Sequence, residues 1–335
     1  MIVTVRLYLQ DSVILKSMKY FFLFAFFGCA FAASIAHAQC SDGGVCEISR
    51  HDNSLKEPLL LIDLGYNIGT SGKPENIGYQ QVSAGVEYHV TKGLFFIVDV
   101  PFRVQTFSNT SISGFGDIFV MGKYAVTSSI DPTPENGLVT DNRLQIVRDA
   151  DRWAFQAGVK LPTGAVNEDS LPTTYQNGLG TTDLILGIQY SKLLESSDIT
   201  GGIGMQIPFG KSANAVDHLE RGPSLLLQAA YKKNWTNFAV MGELLGILPL
   251  RKSVINETVL ETSESSPDPY WTNIRTEVPT SDRLQINALL SSAYFFNESS
   301  SIEIGIALPL LKRDHNEDGL KRAFTFYTTI RQGIF

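Results

Sequence analysis

Seven carboxylates, those of Asp63, Glu87, Asp99, Asp117, Asp183, Glu243 and Glu303, stand at alternate positions within runs otherwise rich in Val, Ile, Leu and aromatic residues. Arg103, Lys123, Lys160, Lys232 and Arg283 are spaced the same way, and His89 lies two residues from Glu87. Charged groups collected on one wall can pair across neighbouring segments and fill the space between them. They can also act as rings that select among ions and small solutes. Nucleophilic catalysis asks for more: a hydroxyl and an imidazole in hydrogen-bond reach, with a third group to orient the imidazole. His89 has Thr91 two residues on, but Thr91 falls in a turn and nothing nearby orients the pair. His218 and His315 stand in acidic loops. The residues therefore argue against an enzyme, including a serine–histidine phospholipase barrel, and no cofactor is expected.

The alternation is what must position these groups. In "YQQVSAGVEYHV", Val82, Ala84, Val86, Tyr88 and Val90 oppose Gln81, Ser83, Gly85, Glu87 and His89. In "GLGTTDLILGIQYSK", Leu184, Leu186, Ile188 and Tyr190 oppose Asp183, Gly187, Gln189 and Ser191, with Ile185 the one exception. A period of two belongs to strands, not helices. Twelve segments carry it: roughly 59–68, 79–91, 94–107, 114–127, 153–163, 180–192, 198–209, 223–232, 235–250, 283–295, 300–311 and 322–335. Most are longer than the five or six residues, roughly, of an ordinary strand. They match the nine to eleven, approximately, that a tilted strand needs to cross a bilayer. No segment after the N-terminal region has the roughly 18 continuous apolar residues of a membrane helix. The expected fold is all-β: an antiparallel transmembrane barrel of about 12 strands, of the outer-membrane type. Lumen-facing candidates are the charged residues above, and Tyr66, Tyr88, Tyr124, Trp153, Tyr190, Tyr231 and Tyr294 are candidates for interfacial girdles.

Charge and termini agree with that class. The chain carries a net −7 and only 18% charged residues, which disfavours nucleic acid as a partner. "MKYFFLFAFFGCAFAASIAHA" from Met18 reads as a secretory signal ending in an Ala-x-Ala site at Ala38, with residues 1–17 an upstream extension. Residues 39–57 then form a short periplasmic segment, and 58–335 the barrel. Cys40 and Cys46, in "CSDGGVC", are expected to form a disulfide in an oxidising compartment. His51 stands alone beside them, so no metal site is expected. Connections alternate short ("TKG", "LESS", "KNW", "NESSS") and long, as periplasmic turns and extracellular loops do. The connection 128–152 breaks the rule and reads as an insertion. Pro101, Pro162, Pro208, Pro249 and Pro309 fall near the outer ends of strands, where each marks a bulge or the release of the chain into a loop. Phe335 ends the chain as the aromatic that barrel-assembly machinery reads, although Arg331 and Gly333 take positions that are normally apolar. Location in the outer membrane of a Gram-negative cell, in contact with its lipid, follows.

Three stretches, "GFGDIFVMGKYAV", "GVKLPTG" and "GLGTTDLILGIQYSK", resemble in order and spacing motifs of the family named for the MetA pathway of phenol degradation. The likeness is clearest over about 114–210. It implies an outer-membrane barrel transporter, distantly like the hydrocarbon and long-chain fatty-acid uptake barrels, that passes small compounds, hydrophobic or aromatic ones included. The competing expectation is a structural or surface-binding barrel whose acidic loops 252–282 and 312–322 hold a partner.

Overall fold

The computed structural model describes residues 59–70, 77–91, 93–107, 110–128, 150–169, 171–194, 196–263, 266–297, 299–313 and 324–335. The expected signal and extension (1–38), the segment 39–57 with Cys40 and Cys46, most of the 128–152 connection and most of the 312–322 loop lie outside the described residues.

Alternating residues become strands throughout. In chain order these are β1 (Leu60–Thr70), β2 (Gly78–Thr91), β3 (Leu94–Phe107), β4 (Thr110–Phe115), β5 (Ile118–Ser128), β6 (Ala150–Leu161), β7 (Thr182–Leu194) and β8 (Ser197–Phe209). They continue as β9 (Ser224–Asn234), β10 (Phe238–Pro249), β11 (Val254–Ser263), β12 (Ser266–Glu277), β13 (Gln285–Phe295), β14 (Ser300–Leu311) and β15 (Phe324–Ile334). Twelve of them pair in antiparallel sequence from β1 to β15, and the β1–β15 ladder closes the ring. Closure leaves no ring strand with a free edge, which is the condition for a sheet to cross lipid.

The remaining three strands lie at the loop end. β11 and β12 form a two-stranded ribbon where the sequence suggested only a long loop. Its base is tied by Lys252 Nζ to Glu277 Oε2 at 3.0 Å, and that hydrogen bond raises the Lys252 pKa above the ordinary lysine value. The single segment expected over 114–127 is broken at Gly116–Asp117 into β4 and β5. The break follows from Pro101: β3 pairs β5 up to Asp99 and β4 from Phe102 onward, and Gly116 N donates to Pro101 O at 2.8 Å. Pro309 likewise sits at a register shift between β13 and β14. Pro162, Pro208 and Pro249 fall at or beside strand ends, where a missing N–H costs no ladder bond.

The two faces separate as the parity requires. Ile62, Leu64, Val86, Val98, Leu186, Ile203, Leu244 and Leu290 point outward and are exposed, forming the apolar belt that lipid covers. Tyr88, Tyr124, Trp153, Tyr190, Tyr231 and Tyr294 ring this outer face near the short-turn end, and Trp153 packs on Tyr190 at 5.0 Å. Tyr66 lies farther up β1, apart from that ring. The inner face is less polar than the sequence suggested. Phe95, Ile97, Phe119, Met121 and Ile185 form one buried apolar cluster inside. Leu226, Leu245, Ile247, Leu289 and Ala307 form another.

Candidate functional site

Lys160 is the last inward residue of β6 and Asp183 the first of β7, and the antiparallel register sets them directly opposite each other. Lys160 Nζ lies 2.8 Å from Asp183 Oδ2 and 3.7 Å from Asp117 Oδ2. Arg221, from the β8–β9 loop, donates to the other Asp183 oxygen and, at 2.6 Å, to Thr181 Oγ1. Gln206 Nε2 donates to Asp183 Oδ2 at 2.7 Å. Asp183 is 0% exposed, so its charge is held by these partners and by the Thr181 hydroxyl, which donates to Oδ1 at 3.0 Å. Two cations around two carboxylates make a near-neutral buried cluster, and such a cluster fixes geometry more than it adds stability.

Asp117 turns that cluster into an anchor for the β6–β7 loop. Its Oδ1 accepts from Gly164 N at 3.1 Å, and its Oδ2 from Leu179 N at 2.9 Å. One carboxylate thus clamps both ends of the loop. The ends can meet there because both carry glycine: a Cβ on Gly164 would lie 2.6 Å from Gly178 Cα, and one on Gly178 2.7 Å from the Gly164 backbone. The three stretches that carried the family resemblance therefore converge on one spot.

From this anchor the loop turns into the mouth of the barrel. Arg103 Nη1 donates to Asn177 O at 3.2 Å, and Gln105 Nε2 to Gln176 O at 3.0 Å. Thr173 opens a single 3-10 turn and donates its Oγ1 to Asp217 Oδ1 at 2.5 Å, while its N–H donates to Asp217 Oδ2 at 2.9 Å. Asn214 Nδ2 donates to Leu171 O at 2.8 Å, and Ala215 N to Asn167 Oδ1 at 2.7 Å. The β6–β7 and β8–β9 loops are thereby locked together. Tyr175, beyond the 3-10 turn's first residue, packs on Ile77 and Tyr79 near the start of β2. The paired loops span the mouth from the β6–β9 side to the β2 side.

The other candidates are dispersed along the inner wall. Asp63 accepts from Arg331 Nε at 2.8 Å across the closing ladder, so the polar Arg331 faces a partner rather than lipid. Glu87 and His89 meet at 2.6 Å, His89 stacks on Phe95 at 5.1 Å, and Lys123 lies over the same ring at 5.7 Å. Arg103 also donates to Gln81 Oε1 at 2.7 Å. Glu243 accepts from Gln228 at 3.2 Å, and Glu303 from the Tyr327 hydroxyl at 3.2 Å. Asp99 is half-buried on the inner face. Arg283 is different: it is exposed and lies before β13 begins, so it does not join the inner wall. Sequence reasoning missed Arg221, Asp217 and Asn214 altogether. They sit in a loop, where no period reports which way a side chain points.

Among the described residues no cluster of His, Cys, Asp or Glu could hold a metal ion. No curated protein matches the chain in sequence. Among solved structures, an outer-membrane channel from Pseudomonas putida F1 is similar with a TM-score of 0.59 at 14% identity, over 83% of this chain and 96% of that one. The NanC porin gives 0.43 at 8% identity over 82% and 100%, and the Ralstonia pickettii toluene transporter TbuX 0.38 at 8% over 84% and 91%. The first of these likenesses shows a fold, that of the outer-membrane barrels. The family described as the MetA-pathway of phenol degradation matches residues 63–246, which is more than half of the sequence and includes every residue of the Asp117–Lys160–Asp183–Arg221 anchor, and the chain belongs to that family.

Proposed function

We propose that this barrel is an outer-membrane channel for passive uptake of small compounds, hydrophobic or aromatic ones among them. The observation that carries the reading is the pair of interlocked loops drawn into the mouth and clamped to the wall by Asp117. A structure of this kind restricts the size of what enters while the ring of strands behind it stays intact. The family's description, with phenol degradation in it, supports the aromatic part. Residues 39–57 are read as a periplasmic leader, and Phe335 as the contact that barrel-assembly machinery takes up. A structural barrel with no transport is the rival, since locked loops would also suit a closed surface protein. Purified protein in liposomes separates the two: small solutes and ions should pass, with flux falling as solute size rises. No swelling and no single-channel current would leave the structural barrel standing.

A further inference from the structure

The inner wall is not uniformly filled. On β5 every inward side chain described is buried, and most of those on β6, β7, β8, β9, β10 and β13 are. The half-buried polar side chains collect instead on β14, β15, β1, β2 and β3. They are also ladder neighbours. Asn67 faces Tyr327 and Gln81, Gly65 faces Thr329 and Ser83, Thr329 faces Glu303, and Gly85 faces Asp99.

Side-chain volume explains the asymmetry. Where β1 and β2 meet the inward residues are small: Gly65 and Gly85 are buried, and the Ser83 hydroxyl covers Gly65, lying 2.6 Å from where its Cβ would stand. Ser83 itself stays half-buried, so the wall is hollow above Ser83. Larger groups frame that hollow: Tyr327 and Glu303 on the β14–β15 side, Asp99 on β3. Tyr327 hydrogen-bonds Glu303 and lies over Gly305, which holds its ring to the wall and away from the hollow. The rest of the ring, reaching onto β3 at Phe95 and Ile97 and onto β14 at Ala307, carries the two apolar clusters and the ion cluster, all packed shut.

We propose that solutes pass through this hollow, over the half-buried Ser83 and Thr329, rather than along the barrel axis past the Asp117–Lys160–Asp183 cluster. The inference rests on the channel reading and narrows it. Hydroxyl, amide and carboxylate groups on its sides favour small neutral or cationic solutes that carry hydrogen-bonding groups. Asp99 and Glu303 disfavour anions.

Single cysteines test the hollow without assuming transport. With the native cysteines replaced by serine, Ser83→Cys and Thr329→Cys in reconstituted barrel should react with a water-soluble, cationic methanethiosulfonate about tenfold faster than Ala154→Cys and Ala230→Cys. The two controls are buried and closer along their strands to the short-turn end than Ser83 is, so a uniformly open lumen would expose them first. Equal or inverted rates overturn the proposal. Ser83→Trp, confirmed as folded by its heat-modifiable migration, should cut conductance about tenfold by filling the hollow; wild-type conductance would also overturn it. The Asp99→Asn, Glu303→Gln double variant should move the reversal potential toward anion passage, and an unmoved potential removes both acids from the path. Fast labelling at Ser83 and Thr329 with silent bilayers supports the hollow and ends the channel reading instead.

Discussion

Asp117→Ala deletes both acceptors that hold Gly164 and Leu179, so the β6–β7 loop loses its tether at both ends at once. Leaving those two buried N–H groups unmatched costs about 1–3 kcal/mol each unless the loop moves out to water. The expected outcome is a loop that moves: limited proteolysis should cut within 164–179 in the variant and spare the wild type, while the strands stay resistant. Equal resistance would mean that Asp117 is not the clamp. Its inward direction was legible from its place in "GFGDIFVMGKYAV", but its partners were not. They are main-chain groups 47 and 62 residues away, and no residue type announces a backbone amide. Ile185 teaches the complementary lesson. It breaks parity as an apolar residue among polar ones, yet it obeys the strand geometry and is buried inside with Ile97 and Met121. A narrow barrel needs apolar filling as well as charge, so the polar-in rule fails where the wall is packed.

Strand pairs add a constraint that single residues do not show. A Cβ on Gly305 of β14 would overlap the Tyr327 ring of β15. Gly305→Ala should therefore lower stability by about 1–3 kcal/mol, as overpacking usually does. In a Tyr327→Ala background the same change should cost much less. A urea-unfolding double-mutant cycle in detergent or liposomes measures the coupling, and additive effects would show that the ring does not rest on the glycine. Strand existence was readable at this scale because each segment is long and alternates. The split of β4 from β5 was not: the faces flip at Gly116, with Phe115 outward and Asp117 inward, and that flip goes with the position of Pro101 on the partner strand. The β11–β12 ribbon was hidden for another reason: it pairs only with itself as a separate two-stranded sheet, outside the ring whose two environments impose the period.

The molecule as a whole is an inverted solvent problem, apolar outside and mixed within, and adjacent residues of one strand report both environments. Leu244 points outward at 48% exposure and Leu245 inward at 0%. If lipid covers the belt, Leu244→Arg should cost about 2–4 kcal/mol near midplane, measured by reversible unfolding into urea from liposomes. In a water-exposed sheet the same change would be nearly neutral, and that result would remove the membrane from the account. The ring also has a seam. β1 and β15 are joined over eleven residue pairs, and the Asp63–Arg331 contact within it spans 268 positions of sequence. Every other ladder of the ring joins strands that follow one another around it, so they can zip as local hairpins or across a single loop. The seam cannot begin until its two distant ends find each other, and nonlocal pairing of this kind is slow. During that wait both partners present a full row of unmatched donors and acceptors, each able to capture the wrong chain. Barrel formation is thus a race between one very distant intramolecular encounter and all intermolecular ones, with an outcome that depends on protein concentration as well as on stability.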